Sequence, residues 1–519
     1  MFSLGVVLLL PLLLSSHVFS WQEHKRQFVM LIPNHLVAPK IAFIPLAQHL
    51  GKLGNEVSLV SLDGSNYEVQ PSADYIEMKT YVDIVIGREN DRLQRAMRQF
   101  DPVQDMRIDL QILCELFIND PDLKRVWNME PDLVLLPSYM NECGLIFVEK
   151  FKVPFVYMTT SGLLLENSFY QYPYRLSIEN NNIFTRISNF VANFLFSIGH
   201  QQSRLSDVNM IARRFFKNDS ISVDHLLHNS SLILLNSHKY LNNDRPDYSQ
   251  MKNVVEVGCM QCRPSVGSDI LGKDLRQFLD EAGNNNAVFF SLGTVTNSTL
   301  MAAEVLPVLL KAFDELPFQI VWKYEGELKS PLHLPSNVFI SKWLYQQEVL
   351  AHPSVGAFFT HASTMSFHEA VYHAVPMIAL PFTHEQHQNA LTIDSLGIGS
   401  VIHLNEHLSE DTIVPIVKDV MSDSIKRRKV LSASRRFKAR PMDAVQSAAQ
   451  GLAYVVEHNG AANLQPKVVT WYLYLALNLA YILLILFGVV MSLVIYFKFI
   501  GRLPMRFSLS WRKHQVKTK

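Results

Sequence analysis

Residues Trp343–Asn389 read WLYQQEVLAHPSVGAFFTHASTMSFHEAVYHAVPMIALPFTHEQHQN and carry the clearest structural pattern of the chain. The apolar run 355–359 has the length of a buried strand, residues 366–373 have helical spacing, and 376–380 form a second apolar run. A strand, a helix and a strand in this order predict a parallel βαβ unit. This stretch therefore predicts an α/β fold.

A polar turn, His361-Ala362-Ser363-Thr364, joins the first of these strands to the helix. In a βαβ unit the helix N-terminus directs unpaired N–H groups at the crevice beyond the strand ends, where they stabilise an anion such as phosphate. The hydroxyls of Ser363, Thr364 and Ser366 would add donors. The same residues also suit an ordinary turn, so the turn alone leaves both interpretations open.

The first half of the chain shows the same order of elements. Residues 28–32 and 56–62 read as strands, and 41–53 between them as a helix. Because a chain of 519 residues is too long for one ordinary core, we predict two Rossmann-like domains with a boundary near 260–285. The predicted segments are a signal peptide (1–20), the first domain (21–265), the second domain (266–462), a transmembrane helix (468–497) and a basic tail (498–519).

Six side chains in and around this unit stand at spacings that closely resemble the signature of the UDP-glycosyltransferases, the family that includes the UDP-glucuronosyltransferases. They are Trp343, Gln346, His361, Glu369, Glu385 and Gln386. The turn Phe290-Ser291-Leu292-Gly293 resembles the family as well. The resemblance covers residues 25 to 500 and implies the GT-B arrangement, in which two Rossmann-like domains face each other across a cleft. It also implies that 21–265 bind the acceptor and 266–462 bind the UDP-sugar.

The resemblance implies a role for each side chain. Trp343 would stack on uracil, and Gln346 would bond the uracil or ribose edge. His361 and its turn would face the diphosphate, and Glu369 would hold the ribose hydroxyls. Glu385 and Gln386 would bond hydroxyls of the donor sugar. The implied donor-binding set is Thr294, Trp343, Gln346, His361, Ser363, Thr364, Glu369, Glu385 and Gln386. The family needs neither a metal nor a cofactor besides the UDP-sugar, which is the donor substrate.

The catalytic pair of the family departs from the pattern. Glycosyl transfer to an alcohol needs a general base and a group that orients it. The family places its histidine base where this chain has Pro39, and its orienting aspartate where this chain has Ser138. His35 is the best surviving candidate for the base, and it would equally suit a surface loop. Glu142 could replace the missing carboxylate or belong to the loop alone.

The turn His361-Ala362-Ser363-Thr364 also departs from the family pattern. Ala362 and Ser363 stand where the family has two glycines, and Met365 stands where it has an asparagine. If either glycine position needs a positive φ, the side chain there costs roughly 1 kcal/mol. We therefore expect a weakened donor site.

The two ends of the chain predict a signal peptide and a membrane anchor. Residues 2–20 are an apolar run of signal-peptide length, with cleavage before Trp21. Residues 468–497 carry no charge and exceed the roughly 20 residues that cross a bilayer, which predicts a transmembrane helix. The tail 498–519 is basic and has no acid. The positive-inside rule therefore places the tail in the cytosol and 21–467 in the lumen or outside.

The composition limits the partners. Forty-seven basic and 47 acidic residues give a net charge of zero, so nothing indicates a nucleic-acid partner. Sequons at Asn218, Asn229 and Asn297 are compatible with a lumenal, glycosylated body. Residence in the endoplasmic-reticulum membrane is implied by the family.

Four cysteines are too few for a disulfide scaffold. They are Cys114, Cys143, Cys259 and Cys262. The Cys259-x-x-Cys262 spacing would suit a redox pair or half of a zinc site, but no second pair stands at metal spacing. We predict no metal site and leave the pairing open.

Three functions fit the sequence. The first is a membrane-anchored transferase that moves glucuronic acid or a hexose from a UDP-sugar to a hydroxyl of a small lipophilic acceptor. The second is an inactive pseudoenzyme of the same fold that acts as a binding or scaffold protein, which the residues Pro39 and Ser138 favour. The third, a receptor-like ectodomain, does not account for the signature residues. The sugar, the acceptor and self-association as a homo-oligomer are open.

Overall fold

The computed structural model describes residues 25–33, 37–62, 82–86, 114–115, 117–121, 123–138, 141–160, 205–227, 229–241, 251–293, 305–326, 333–403, 408–464 and 471–500. Two predicted site residues, His35 and Thr294, lie outside the described residues. The predicted signal peptide, the sequon at Asn297 and the tail from residue 501 also lie outside them.

The first half of the chain forms a parallel sheet. Its strands are β1 (Gln27–Ile32), β2 (Glu56–Leu62), β3 (Val82–Ile86), β4 (Leu133–Pro137), β5 (Phe155–Thr159), β6 (Leu232–Leu235) and β7 (Val254–Glu256). All pairings between them are parallel, in the order β3-β2-β1-β4-β5-β6-β7. The helices of this half include α1 (Val37–Lys52), α2 (Leu123–Trp127) and α3 (Leu145–Phe151).

The second half forms another parallel sheet. Its strands are β8 (Ala287–Ser291), β9 (Gln319–Lys323), β10 (Val338–Ser341), β11 (Val355–Thr360), β12 (Met377–Ala379) and β13 (Gly399–Val401), in the order β10-β9-β8-β11-β12-β13. The helices that follow β7 along the chain are α4 (Lys273–Ala282), α5 (Val305–Asp314), α6 (Gln346–Ala351), α7 (Thr364–Tyr372), α8 (His384–Leu396), α9 (Glu410–Ser422), α10 (Ser424–Lys438), α11 (Ala444–Glu457) and α12 (Trp471–Ile500). The prediction of two parallel-sheet α/β domains is confirmed.

Each sheet is buried on both faces, as parallel sheets require. Along β1, Phe28, Met30 and Ile32 pack in the core cluster that includes α1, whereas Val29 and Leu31 pack in the cluster that includes α3. This alternation follows from the two-residue period of a strand. Such strands need apolar side chains on both faces, which is why they read as continuous apolar runs.

Helix α11 packs on the first sheet although it follows the second sheet in sequence. Ala444, Ala448 and Leu452 lie in the core cluster of β1 and α1. A Cβ atom added at Gly451 would lie 2.8 Å from a methyl group of Leu232 in β6, so the helix backbone runs close to the strand. The sequence predicts that this helix belongs to the second domain, 266–462. The residues it packs against belong to the first domain.

All four cysteines form disulfides. Cys114 pairs with Cys143, and Cys259 pairs with Cys262. The first disulfide links two segments of the first domain. The second closes a short loop in the linker between the two sheets, and both thiols of that Cys-x-x-Cys pair are therefore used by the disulfide.

Residues 467–519 form a unit separate from the rest of the chain. The predicted helix over 468–497 corresponds to α12, and its described apolar side chains are exposed. Within the described part of the chain, no helix meets the length and apolarity needed to cross a bilayer.

Candidate functional site

The candidate site lies where β8, β9 and β11 end. Because these strands are parallel neighbours, the residues that follow them meet at one edge of the sheet. The segments that meet there include Gly293 after β8, Lys323 at the end of β9 and His361 after β11. Open α/β sheets bind their ligands at such an edge.

The turn after β11 contains a strained residue. Ala362 has a φ of +61°, in the left-handed region, whereas Ser363 has a φ of −60° and is extended. The left-handed residue is held by Asn389, whose Nδ2 donates to the Ala362 carbonyl over 2.8 Å. Of the two positions where the family has glycine, only the first therefore carries the expected strain of roughly 1 kcal/mol.

A carboxylate of the chain itself occupies the N-terminus of α7. The Thr364 N–H donates to Glu385 Oε1 over 2.8 Å, and the Thr364 hydroxyl donates to the same oxygen. Asn389 Nδ2 lies 3.3 Å from it. Amides at a helix N-terminus favour an anion. The family resemblance implies that Glu385 bonds the donor sugar; in this structure its side chain caps the helix end that was predicted to face phosphate.

Gln346 and Glu369 are brought together from α6 and α7. Gln346 Nε2 donates to Glu369 Oε2 over 2.7 Å and lies 3.4 Å from the Ser366 hydroxyl. Burial raises the pKa of Glu369 to about 7, and the side-chain amides of Gln346 and Gln261 and the charge of Arg263 act in the opposite direction. The carboxylate is an acceptor for hydroxyl groups when it is ionised.

His361 is buried and neutral. Its side chain is 3% exposed, and burial, with Lys323 nearby, lowers its pKa to about 3. A Cβ atom at Gly293 would lie 2.5 Å from the ring, and Gly293 has a φ of +81°. Both the space and the backbone conformation require glycine there, which explains the Phe290-Ser291-Leu292-Gly293 turn.

Lys323 was not predicted from the sequence. Its Nζ donates to the Gly293 carbonyl over 2.8 Å, pairs with Glu325, and lies 5.7 Å from the centre of the Trp343 ring. The side chain is buried and so places a cation between the predicted uracil platform and the His361 turn. The signal in the sequence is a lysine that ends the apolar strand β9.

The side-chain oxygen of Gln386 is used in hydrogen bonds within the fold. Its Oε1 accepts from the N–H groups of Phe382, at 2.8 Å, and Thr383, at 3.1 Å. This capping box fixes the start of α8. These bonds use the amide oxygen, so any bond to a sugar hydroxyl would come from Nε2.

The family's catalytic positions lie in the first domain. Pro39 is buried in α1, and Ser138 follows β4, where its N–H donates to the Met158 carbonyl over 2.8 Å. Glu142 is 6% exposed. Burial raises the pKa of Tyr157, and the nearby Glu142 carboxylate acts in the same direction. Glu142 is thus a buried carboxylate in the turn Glu142–Gly144.

The sequence model of the family "UDP-glucoronosyl and UDP-glucosyl transferase" matches residues 59–510. The chain belongs to this family. Its relatives within the UDP-glycosyltransferases include UDP-glucosyltransferase 2 of Dactylopius coccus, 27% identical over 72% of this chain and 73% of the relative. Human UDP-glucuronosyltransferase 3A2 is 26% identical over 86% of this chain and 82% of the relative.

Solved structures agree with the fold. The glycotransferase of kitacinnamycin superposes with a TM-score of 0.57 at 16% identity, covering 82% of this chain and 98% of that one. CalG4, the calicheamicin glycosyltransferase, gives a TM-score of 0.56 at 18% identity, covering 83% and 98%. The fold of this chain is therefore that of GT-B glycosyltransferases.

Proposed function

We propose that the protein transfers glucuronic acid or a hexose from a UDP-sugar to a hydroxyl of a small lipophilic acceptor. The observation that carries the proposal is the 2.7 Å bond from Gln346 Nε2 to Glu369 Oε2 at the carboxyl edge of the second sheet. In a UDP-glycosyltransferase this pair would meet the ribose, with Trp343 as the platform for uracil. Lys323, buried beside Trp343, would add positive charge for the diphosphate.

The catalytic step needs a base for the acceptor hydroxyl. We propose His35 for this role, because Pro39, which stands at the family's base position, cannot take up the proton. Glu142 is a buried carboxylate of the same domain that could stabilise a protonated histidine. Loss of UDP release in His35→Ala, with UDP binding intact, would support a displaced base.

We further propose anchoring in the endoplasmic-reticulum membrane, with the body lumenal and the basic tail cytosolic. The support is the charge-free sequence of 468–497, the basic residues after it and the apolar run at the N-terminus. Protease protection of the body in sealed microsomes would test this topology. Digestion of the body from the cytosolic side would contradict it.

The test of the function is turnover. Detergent-solubilised protein is incubated with UDP-glucose, UDP-glucuronic acid or UDP-N-acetylglucosamine and a panel of phenols and sterols, and released UDP is measured. Glu369→Ala is expected to lose turnover, whereas the exposed Glu281→Ala in α4 is expected to retain it. Turnover that survives Glu369→Ala would contradict the proposed site.

One observation favours a second function, that of a nucleotide-binding pseudoenzyme. Glu385 Oε1 sits 2.8 Å from the Thr364 N–H, so the anion position at the start of α7 is filled by the chain itself. A diphosphate would have to displace that carboxylate or bind beside it, and like charges repel. Binding of uridine and UDP without turnover of any of the three UDP-sugars would favour this second function.

A further inference from the structure

The helix that carries Gln346 is short. Helix α6 has six residues, and a helix of this length has little stability of its own, so the contacts of its side chains decide where it lies. Gln346 is its first residue and donates through Nε2 to Glu369 Oε2 over 2.7 Å. Whatever holds the first turn of α6 therefore also sets the position of Gln346.

Gln347, the next residue of this turn, binds the linker between the two sheets on both sides of Cys262. Its Nε2 donates to the Gln261 carbonyl over 2.8 Å, and its Oε1 accepts from the Arg263 N–H at 3.0 Å. Gln347 is 6% exposed, so a partner left without its hydrogen bond would be a buried polar group that water cannot easily reach. One side-chain amide thus fixes α6 to the linker through two directed bonds.

Glu348 attaches the same turn to the next part of the linker. Its Oε1 pairs with Arg263 Nη1 at 2.6 Å and accepts from the Val266 N–H at 3.2 Å, and its Oε2 accepts from the Ser265 hydroxyl at 2.5 Å. The Glu348 side chain is fully buried. A buried carboxylate is stable only with such partners, so this contact has little freedom to rearrange.

The linker loop that Gln347 binds is closed and is attached to the first domain. The disulfide Cys259–Cys262 closes it, with Cα atoms 5.2 Å apart. Asn236, which follows β6 and is fully buried, accepts through Oδ1 from the Met260 N–H at 2.9 Å and donates through Nδ2 to Gln261 Oε1 over 3.0 Å. The closed loop therefore lies between a residue of the first domain and the first turn of α6.

We propose that Gln347 is a positioning residue of the donor site. It fixes the first turn of α6 on the disulfide-closed loop and so places Gln346 against Glu369 for the ribose of a uridine nucleotide. The linker is then part of the donor site, and Asn236 attaches it to the first domain. This inference rests on the proposed function, because a uridine nucleotide is the ligand. Since coupling between two sites is reciprocal, the bound nucleotide should in turn hold the linker loop more firmly.

The first test measures how fast dithiothreitol reduces each disulfide of the detergent-solubilised full chain, by alkylation and mass spectrometry. Reduction requires access to a sulfur, so its rate reports how firmly the loop is held. Saturating UDP should slow reduction of Cys259–Cys262 about 3-fold or more in wild type, and not at all in Gln347→Met. The buried disulfide Cys114–Cys143 of the first domain is the internal control, and UDP should leave its rate unchanged. Equal protection in wild type and Gln347→Met, or equal slowing of both disulfides, would overturn the inference.

The second test measures the affinity for UDP and uridine by calorimetry. Gln347→Met keeps the length of the side chain and loses both bonds to the linker, so it should weaken binding of both ligands about 10-fold, as loss of one or two hydrogen bonds implies. Asn236→Ala, which loosens the same loop from the side of the first domain, should weaken both in the same direction by less. Gln277→Met is the matched control and should bind as wild type, because Gln277 is exposed and bonds Glu281 in α4.

The inference and the proposed function fail in different ways. If wild type binds UDP and Gln347→Met binds it with the same affinity, the inference is overturned and the proposed function stands. If wild type binds neither UDP nor uridine, the proposed function and the role of Gln347 in nucleotide binding are overturned together.

Discussion

The two ends of the candidate donor site differ in how closely they keep the family pattern. At the ribose end, Gln346 and Glu369 stand at the family spacing and are joined by a 2.7 Å hydrogen bond. At the phosphate end, alanine occupies a left-handed position and Glu385 caps the helix that would receive the anion. In the proposed donor site, the residues for the nucleoside keep the family pattern, whereas those for the diphosphate depart from it.

The largest effect is expected at the ribose end. Glu369→Gln removes the charged acceptor of the ribose hydroxyls and should weaken binding of both UDP and uridine about 10- to 100-fold, since hydrogen bonds to a charged group are worth about 1.5–3 kcal/mol. Calorimetric titration with each nucleotide measures it. The control is Glu281→Gln on the exposed face of α4, which should bind as wild type. Retained uridine affinity in Glu369→Gln would contradict the role of Glu369 as the acceptor of the ribose hydroxyls.

A smaller effect of opposite sign is expected at the phosphate end. Glu385→Gln removes the carboxylate at the start of α7 and should strengthen UDP binding about 2- to 5-fold, as charges at helix ends are worth about 0.3–1 kcal/mol. Uridine, which has no phosphate, should bind as before. The ratio of the two affinities is the measurement. A fall in UDP affinity would instead support direct contact between Glu385 and the donor.

The smallest effect concerns the strained turn. Ala362→Gly should raise the free energy of unfolding by about 0.5–1 kcal/mol, because glycine adopts a φ of +61° without the Cβ clash. Denaturant unfolding of the full chain gives the value. Ala370→Gly inside α7 is the matched control and should destabilise the protein. If both substitutions change the free energy of unfolding in the same direction, the turn at Ala362 is not strained.

The local pattern of residues 343–389 predicted its elements closely. The strand expected at 355–359 is β11, Val355–Thr360, and the helix expected at 366–373 is α7, Thr364–Tyr372. Strands and helices in a βαβ unit are set by neighbours in sequence, so periodicity finds them. The side chains that family spacing marked, Gln346 and Glu369, also meet.

What the sequence did not predict depends on contacts between distant segments. Lys323 becomes part of the site because β9 lies beside β8. Glu385 points to Thr364 and not outward, since α8 begins beside the start of α7. Helix α11 reads as the end of the second domain but finds its apolar partners on the first sheet. Periodicity carries no information about such pairings.

Titration of wild-type protein and Glu369→Gln with uridine and UDP tests whether a uridine-nucleotide site is built on Gln346 and Glu369. We expect wild type to bind both nucleotides, with UDP favoured by only a small factor because Glu385 holds the start of α7. We expect Glu369→Gln to lose most of the affinity for both. Equal affinities of wild type and Glu369→Gln, or no binding of either nucleotide by wild type, would contradict a uridine-nucleotide site at these residues.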